Sequence, residues 1–323
     1  MIRQIKRVTT LAELLKQRKF AQKTGTLVQK SNIGKAECVD SVLMTGVNKL
    51  PVNLDGLKLE EGTREVVQYT ARSGEKVRIY EMFADESAET LKRDKAMLEK
   101  LCAEIEKYLD VYEIPKDGND NRMIIETTLQ IIKEMLTKGI KSPKTHMYIA
   151  ESNSKLCGAL VGGLEKNAKN GGTIYAARKN ATQNVTELNW TATWPQGNGV
   201  GKLMLGEYIR TMPKDGFKYM DIQSEIPELS YASKFYKRMG FNNIYRKHPK
   251  KPVYQFEYNS DKLDCLKLDN PDNLMYNYDI IPMTGSQKYL LKISDRIAQE
   301  YQRETFLKPV DTRDFIKELD VIG

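Results

Sequence analysis

A glycine-rich turn is the segment of this sequence with the clearest chemical pattern. It reads Gln196-Gly197-Asn198-Gly199-Val200-Gly201-Lys202. It follows a predicted strand that ends at Trp194-Pro195 and precedes an apolar segment that is predicted to be a helix. The first amides of a helix lack partners within the helix and lie at the positive end of its dipole, which suits a phosphate. Because glycine also lets a ligand approach the backbone closely, the turn predicts a site for a phosphate-bearing ligand.

Two common phosphate-binding loops do not fit this turn. A P-loop requires glycine where Gln196 stands and serine or threonine where Leu203 stands. A dinucleotide-binding loop has the pattern GxGxxG after the first strand of a parallel unit. This turn has the pattern GxGxG and follows several strands that are predicted to be antiparallel. Spacing and context therefore argue against both nucleotide-binding classes.

The spacing Gln196-x-x-Gly199-x-Gly201 resembles the pyrophosphate loop of the GNAT acetyltransferase superfamily, whose pattern is Gln/Arg-x-x-Gly-x-Gly/Ala. Residues 232–241 read ASKFYKRMGF and resemble a second signature of that superfamily, A-x-x-[FL]-Y-x-[KR]-x-G-F. The two segments occur in the order that the family has. Two helices and three strands predicted before them also match the family order, so the resemblance covers residues 64–258.

This resemblance implies an acetyl-CoA-dependent N-acetyltransferase that passes an acyl group directly to a primary amine in a ternary complex. The amine would belong to a small molecule or a protein, coenzyme A would be the cosubstrate, and no metal would take part. Ala192 and Thr193 would lend their backbone to the pantetheine arm, and Lys202 would add charge or be an ordinary surface lysine. The resemblance assigns cofactor binding to Ala192, Thr193, Gln196, Gly197, Asn198, Gly199, Val200, Gly201 and Lys202.

Two further residues would carry the acid–base chemistry that the resemblance implies. An amine must lose a proton before it attacks, so a base is needed. Glu187 lies six residues before Thr193, where some family members have a catalytic glutamate, and an even separation predicts one face of a strand. Tyr236 lies where family members have a tyrosine that protonates the departing thiolate. The alternatives are an ion-paired or solvated Glu187 and a Tyr236 that only packs.

The composition limits the other kinds of catalysis. The two histidines, His146 and His248, make a catalytic triad improbable and leave carboxylates, tyrosines and backbone dipoles. The cysteines are scattered without a CxxC pair, which indicates buried, inert thiols and neither a disulfide framework nor a zinc site. They are Cys38, Cys102, Cys157 and Cys265. The net charge of +8 would help to attract an anionic ligand.

The periodicity around the two motifs predicts an α+β (mixed α/β) domain. Residues 64–70 and 76–83 predict a hairpin, and residues 86–110 and 121–138 predict two amphipathic helices. Three strands, the glycine-rich turn with its helix, one strand, a short helix and two strands follow. The resemblance implies the GNAT fold, a mostly antiparallel twisted sheet flanked by helices, with N- and C-terminal extensions.

The sequence is predicted to have three regions. Residues 1–63 form a basic N-terminal extension, residues 64–258 the acyltransferase domain, and residues 259–323 a C-terminal extension of loop and one helix that begins near Ser286. Residues 1–30 predict a solvated arm, with contact to nucleic acid, protein or a membrane surface, or a targeting segment, as alternatives. The lack of a predicted membrane span or signal peptide indicates a cytoplasmic protein.

A second hypothesis is a non-catalytic GNAT scaffold whose flanking segments bind a protein or nucleic acid. The glycine-rich turn favours the enzyme, because a scaffold of that kind has no need of a phosphate site. The acceptor amine is left open among small amines, antibiotics, polyamines, lysine side chains and protein N-termini, since one fold carries many functions.

Overall fold

The computed structural model describes most of the chain between residues 52 and 307. The described residues are 52–54, 57, 59, 65–70, 74–82, 88–113, 122–138, 144–163, 184–194, 199–225, 232–247, 250, 256–258 and 280–307. The described helices are α1 (Ala88–Asp110), α2 (Arg122–Lys138), α3 (Val200–Thr211), α4 (Ala232–Arg238) and α5 (Gln287–Glu300). The described strands are β1 (Val52–Asn53), β2 (Glu65–Thr70), β3 (Lys76–Met82), β4 (His146–Ser152), β5 (Lys155–Gly162), β6 (Val185–Thr193), β7 (Tyr219–Glu225), β8 (Asn242–Asn243), β9 (Tyr245–Lys247), β10 (Phe256–Tyr258), β11 (Ile280–Ser286) and β12 (Glu304–Leu307).

Ten of these strands form one sheet, in the order β12-β2-β3-β4-β5-β6-β7-β11-β8, with β1 paired to β5 outside this path. Strands β9 and β10 pair separately. Among the described strands, every pairing is antiparallel except that of β6 with β7. The predicted α+β class, with a mostly antiparallel sheet flanked by helices, is confirmed.

Helices cover both sides of the sheet. On the α1/α2 face, a stripe on α1 formed by Leu98, Leu101 and Ile105 is buried together with sheet residues such as Ile149. The spacing of that stripe is the helical period that the sequence predicted. On the opposite α3/α5 face, helices α3, α4 and α5 bury a second set of side chains that includes Tyr208 and many residues of the same strands. Alternate residues of β2, β3 and β4 therefore belong to different cores.

The segment from Ile280 to Ser286 departs from the prediction of a loop. It forms β11, which pairs along its whole length with β7. Pro282 has no amide hydrogen, and its carbonyl accepts the amide of Ile244 at 3.0 Å. Proline and Gly285 are turn-formers by local propensity, and tertiary pairing overrides that propensity. Gly285 suits the position because a β-carbon there would lie 2.7 Å from the Leu290 side chain.

The predicted C-terminal extension supplies two strands and one helix to the same fold. Strand β11 pairs with β7 and β8, and β12 pairs with β2 at the other edge of the sheet. Helix α5 packs against α3, and its Ser294 donates a hydrogen bond to the carbonyl of Gly206 at 2.9 Å. The basic arm of residues 1–30 lies outside the described residues, as do Cys38, Cys265 and His248.

A buried carboxylate links α3 to β2 and to the residue that precedes β12, at one edge of the sheet. Glu207, 6% exposed, accepts two hydrogen bonds from Arg303, at 2.7 and 2.8 Å from Nε and Nη2. It also accepts the hydroxyl proton of Tyr69 on β2. Burial, together with the charge of Glu207, raises the pKa of Tyr69, so that residue remains a neutral donor. A buried charge held by a guanidinium fork is stable only while its partners remain.

No helix among the described residues has the length and apolar character that a membrane span requires.

We predict that Arg303→Met lowers the free energy of unfolding by about 3 kcal/mol, because the buried Glu207 carboxylate loses both of its guanidinium hydrogen bonds and keeps the longer ion pair with Arg210 Nε, at 3.8 Å. Urea denaturation followed by circular dichroism measures this loss. Arg296→Met makes the same chemical change at an exposed position of α5 and is expected to change the stability by less than about 0.5 kcal/mol. Equal losses in the two variants would contradict the assigned role of Arg303.

Candidate active site

Strands β6 and β7 run side by side and then part. Their parallel pairing extends from Val185–Tyr219 to Leu188–Ile222 and ends there. Both strands continue, β6 to Thr193 and β7 to Glu225, without described pairing between those segments. The end of this pairing defines a candidate gap in the middle of the sheet, because the last segment of β6, directly before the glycine-rich turn, has described pairing with β5 alone.

A β-bulge lies on β6 where the strands part. The pairing of β5 with β6 shifts between Val161–Trp190 and Gly162–Leu188, so Asn189 is an additional residue on β6. Such a bulge bends the strand and exchanges the faces to which its side chains point. The cores agree with this exchange, because Leu188 packs on the α3/α5 face whereas Trp190 packs on the α1/α2 face.

The predicted common face of Glu187 and Thr193 is wrong, and the bulge is the physical reason. Thr186, the residue before Glu187, hydrogen-bonds to the hydroxyl of Tyr208 on α3, which directs Glu187 to the α1/α2 face. After the bulge, Thr193 lies next to the first turn of α3. The two residues therefore lie on opposite faces of the sheet, and Glu187 is partly exposed.

Helix α3 begins at the end of the parted segment of β6. Its N-cap residue, Gly199, has φ 79° and ψ −10°, a left-handed conformation that favours glycine. No side chain among the described residues caps this helix end by hydrogen bonding. The amide of Lys202 bonds back to the carbonyl of Gly199 at 3.1 Å. The turn residues Gln196, Gly197 and Asn198 lie outside the described residues.

Three elements meet around Gly201. A β-carbon at this position would lie 3.5 Å from Thr193 Cγ2 on β6 and 3.6 Å from Phe235 Cζ on α4, which are ordinary van der Waals distances. The structure thus brings the end of β6, the start of α3 and the second sequence motif together. Of the predicted cofactor residues, Ala192 and Val200 are buried beside this junction.

Two predicted site residues lie against aromatic rings. Tyr236 is 8% exposed, and its ring packs against Phe235 and Phe241 at centroid distances of 5.0 and 6.0 Å. The ammonium of Lys202 lies over the ring of Tyr301, 4.4 Å from its centroid, at the end of α5. A cation in that position is held by the aromatic face, so Lys202 has a structural contact besides any charge that it contributes to a ligand.

Sequence reasoning missed the carboxylate beside Glu187. Asp221 on β7 pairs in register with Glu187, and it is 3% exposed. No motif contains Asp221, and only the parallel register between β6 and β7 places the two residues together. The periodicity of β7 assigns Asp221 to one face of that strand, but it does not reveal which residue of the neighbouring strand lies beside it.

A second polar cluster lies on the α3/α5 face. His146 Nδ1 lies 2.6 Å from Glu81 Oε1, and its Nε2 lies 2.7 Å from Asp215 Oδ2. Burial lowers the pKa of His146, but hydrogen bonds and charges of Asp215 and Glu81 outweigh that effect and raise the pKa to about 9. The imidazole is therefore protonated at neutral pH. A protonated histidine donates a hydrogen bond to each of the two carboxylates and cannot act as a base.

The two described cysteines, Cys102 and Cys157, are buried free thiols. Burial raises the pKa of Cys102 to about 11 and raises that of Cys157 further. Both therefore remain thiols at neutral pH and lack the thiolate that a nucleophile needs.

Comparisons with known proteins give matches to solved structures alone. No family model matches the sequence, and no curated protein matches it. A Desulfovibrio desulfuricans protein assigned to the GNAT acetyltransferase family is 15% identical, with a TM-score of 0.36 over 65% of this chain and 99% of that one. A GNAT-family acetyltransferase from Elizabethkingia anophelis with acetyl-CoA bound is 16% identical, with a TM-score of 0.27 over 49% of this chain and 82% of that one. A Bacillus subtilis acetyltransferase in complex with CoA is 17% identical, with a TM-score of 0.28 over the same shares. Substrate and mechanism must therefore be argued from the residues of this chain.

We predict that the His146 cluster makes stability depend on pH. The folded pKa of about 9 lies above the unfolded value of 6.5, so the stabilisation is complete below pH 6.5 and is lost as the pH rises through 9. The loss is about 3 kcal/mol for this group. Urea denaturation of the wild type and of His146→Gln measures it, and the gap between the two proteins is expected to narrow from pH 6 to pH 9.5. A constant gap would mean that the pKa of His146 in the folded protein is not raised above its unfolded value.

Proposed function

We propose that this protein is an acyl-coenzyme A-dependent N-acyltransferase, with acetyl-CoA as its cosubstrate and a primary amine as its acceptor. The observation that carries this proposal is the parting of β6 and β7 after Leu188–Ile222, beside a helix whose N-cap is Gly199. Parted strands leave room for an extended arm between them. The helix end beside the gap supplies the positive potential that a diphosphate needs.

The residues around the gap fit the cofactor that the proposal requires. The first turn of α3, from Gly199 to Gly201, would hold the pyrophosphate through backbone amides, with Gln196, Gly197 and Asn198 completing the turn. Ala192 and Thr193 would hydrogen-bond the pantetheine arm through their backbone. Lys202 would contribute through its charge, since its ammonium is in contact with Tyr301. When bound, the coenzyme supplies the acyl group as a thioester.

The opposite faces of β6 separate the two halves of the reaction. Thr193 lies beside α3, whereas Glu187 lies on the α1/α2 face. We therefore assign the cofactor to the α3/α5 face and the acceptor amine to the α1/α2 face, so that the two meet through the gap. Such an arrangement suits direct attack in a ternary complex, where holding both reactants in place supplies much of the acceleration.

The acid–base roles follow from this geometry. Glu187 would accept a proton from the ammonium form of the acceptor, directly or through water, so that the neutral nitrogen attacks the carbonyl carbon. Backbone amides of the parted β6 segment would stabilise the oxyanion. The carbon–nitrogen bond forms, the carbon–sulfur bond breaks, and the hydroxyl of Tyr236 would donate a proton to the departing sulfur. Phe235, the neighbour of Tyr236 on α4, lies close to Gly201, which supports this role of Tyr236 beside the proposed cofactor site.

We predict that Gly199→Ala weakens coenzyme A binding at least about tenfold, because alanine strains the left-handed N-cap and shifts the first amides of α3. Isothermal titration calorimetry measures the affinity. Gly74→Ala serves as the matched control, because Gly74 also has a left-handed φ, of 83°, has open space around its β-carbon and lies before β3, outside the proposed site. Similar affinities of both variants would remove the helix end from the site.

We also predict that Glu187→Gln and Tyr236→Phe each lower kcat roughly 100-fold while the affinity for acetyl-CoA stays within a few-fold of the wild type. The release of free thiol in the presence of a panel of primary amines measures kcat. Unchanged kcat in both variants would contradict their roles. Tight coenzyme binding without transfer to any amine would favour the non-catalytic scaffold instead.

A further inference from the structure

A row of polar side chains crosses the α1/α2 face of the sheet where β6 and β7 part. Glu187 on β6 is in register with Asp221 on β7, and Asp221 is in register with Thr284 on β11. In-register residues of neighbouring strands point to the same face, and the strands lie roughly 5 Å apart. The two carboxylates are therefore direct neighbours at the proposed acceptor position.

The cores fix the direction of this row independently of the pairing. Met220 and Ile222, which flank Asp221, are buried with α3 and α5 on the other face. The hydroxyl of Thr284 donates a hydrogen bond to Asp221 Oδ1 at 2.7 Å. A buried carboxylate is costly unless it is hydrogen-bonded, so Thr284 is part of what keeps Asp221 in place.

The row is acidic in a chain whose net charge is +8. None of the described residues that share this face in β6, β7 and β11 is a lysine or an arginine. The same face carries the ring of Trp190, whose Nε1 donates to Thr128 Oγ1 on α2 at 3.1 Å. Two neighbouring carboxylates and a fixed aromatic ring together attract a cation.

We propose that Asp221 is a specificity-determining residue that, with Glu187, selects a polycationic amine as the acceptor. This inference rests on the proposed function for the place of the acceptor. The partly exposed Glu187 contacts the amine that becomes acylated, and the buried Asp221 acts through its charge. A second ammonium group of the same acceptor gains from that field, whereas a neutral or acidic acceptor does not. Polyamines and lysine-rich peptides share this chemistry, and a linear polyamine is the simplest probe of it.

The test compares spermine binding by the full chain in the presence of saturating coenzyme A. Asp221→Asn removes the charge and keeps an oxygen that can accept the proton of Thr284. We expect the wild type to bind spermine and Asp221→Asn to bind it about tenfold more weakly by calorimetry. Asp110→Asn, at the exposed end of α1, changes the net charge equally and is expected to bind like the wild type. The wild type and both variants should bind coenzyme A with equal affinity. A variant whose fold is damaged would bind coenzyme A more weakly.

Glu187→Gln provides a second variant that leaves the Asp221–Thr284 hydrogen bond untouched, and it should also weaken spermine binding. If Asp221→Asn fails to fold, unchanged spermine binding by Glu187→Gln still overturns the inference, because the two carboxylates are proposed to act together. Normal coenzyme A binding with no spermine binding, or with equal spermine binding in all variants, overturns the inference and leaves the proposed function intact. A wild type that does not bind coenzyme A at all would instead remove the proposed function.

Discussion

Hydrogen bonds hold β6 against β7 only from Val185–Tyr219 to Leu188–Ile222, and the strands then part. The parting coincides with the bulge at Asn189, which bends β6 away from its neighbour. The position of the α3 N-terminus follows from it, because the turn into α3 begins at the end of the bent strand. The separation of Glu187 from Thr193 follows as well. The candidate site is therefore a consequence of one additional residue in one strand.

The bulge also explains how a single strand takes part in two cores. Before it, Leu188 packs towards α3, and after it, Trp190 and Ala192 pack towards α1 and α2. A regular strand of this length would keep one set of residues on one face. Because the bulge exchanges the two faces of β6, Thr193 lies on the α3/α5 face of the candidate gap and the side chain of Glu187 lies on its α1/α2 face. Before the bulge, the parallel register of β6 with β7 places Glu187 and Asp221 next to each other, on the face of the sheet away from α3.

The sequence predicted the parts of the fold that depend on local patterns. The amphipathic stripes of α1 and α2, the β2–β3 hairpin and the glycine-rich helix start all have periodic or turn-forming residues. Strand β11 was missed because Pro282 and Gly285 lower its strand propensity, while its pairing with β7 is visible only in three dimensions. The common face of Glu187 and Thr193 was wrong because an additional residue leaves no mark on composition. Asp221 belongs to no motif, and register alone reveals it.

The distant pairing of Glu207 with Arg303 has a consequence for the order in which the chain becomes structured during synthesis. The two residues are 96 positions apart, and β11, which covers β7, also comes after the whole region that the two motifs define. While a ribosome is still producing those later residues, β7 has an open edge and Glu207 lacks its hydrogen bonds to Arg303. The pairing of β11 with β7 can therefore form only after most of the chain has left the ribosome. Long-range pairing of this kind forms slowly, and a strand edge that is uncovered in the meantime is prone to aggregate.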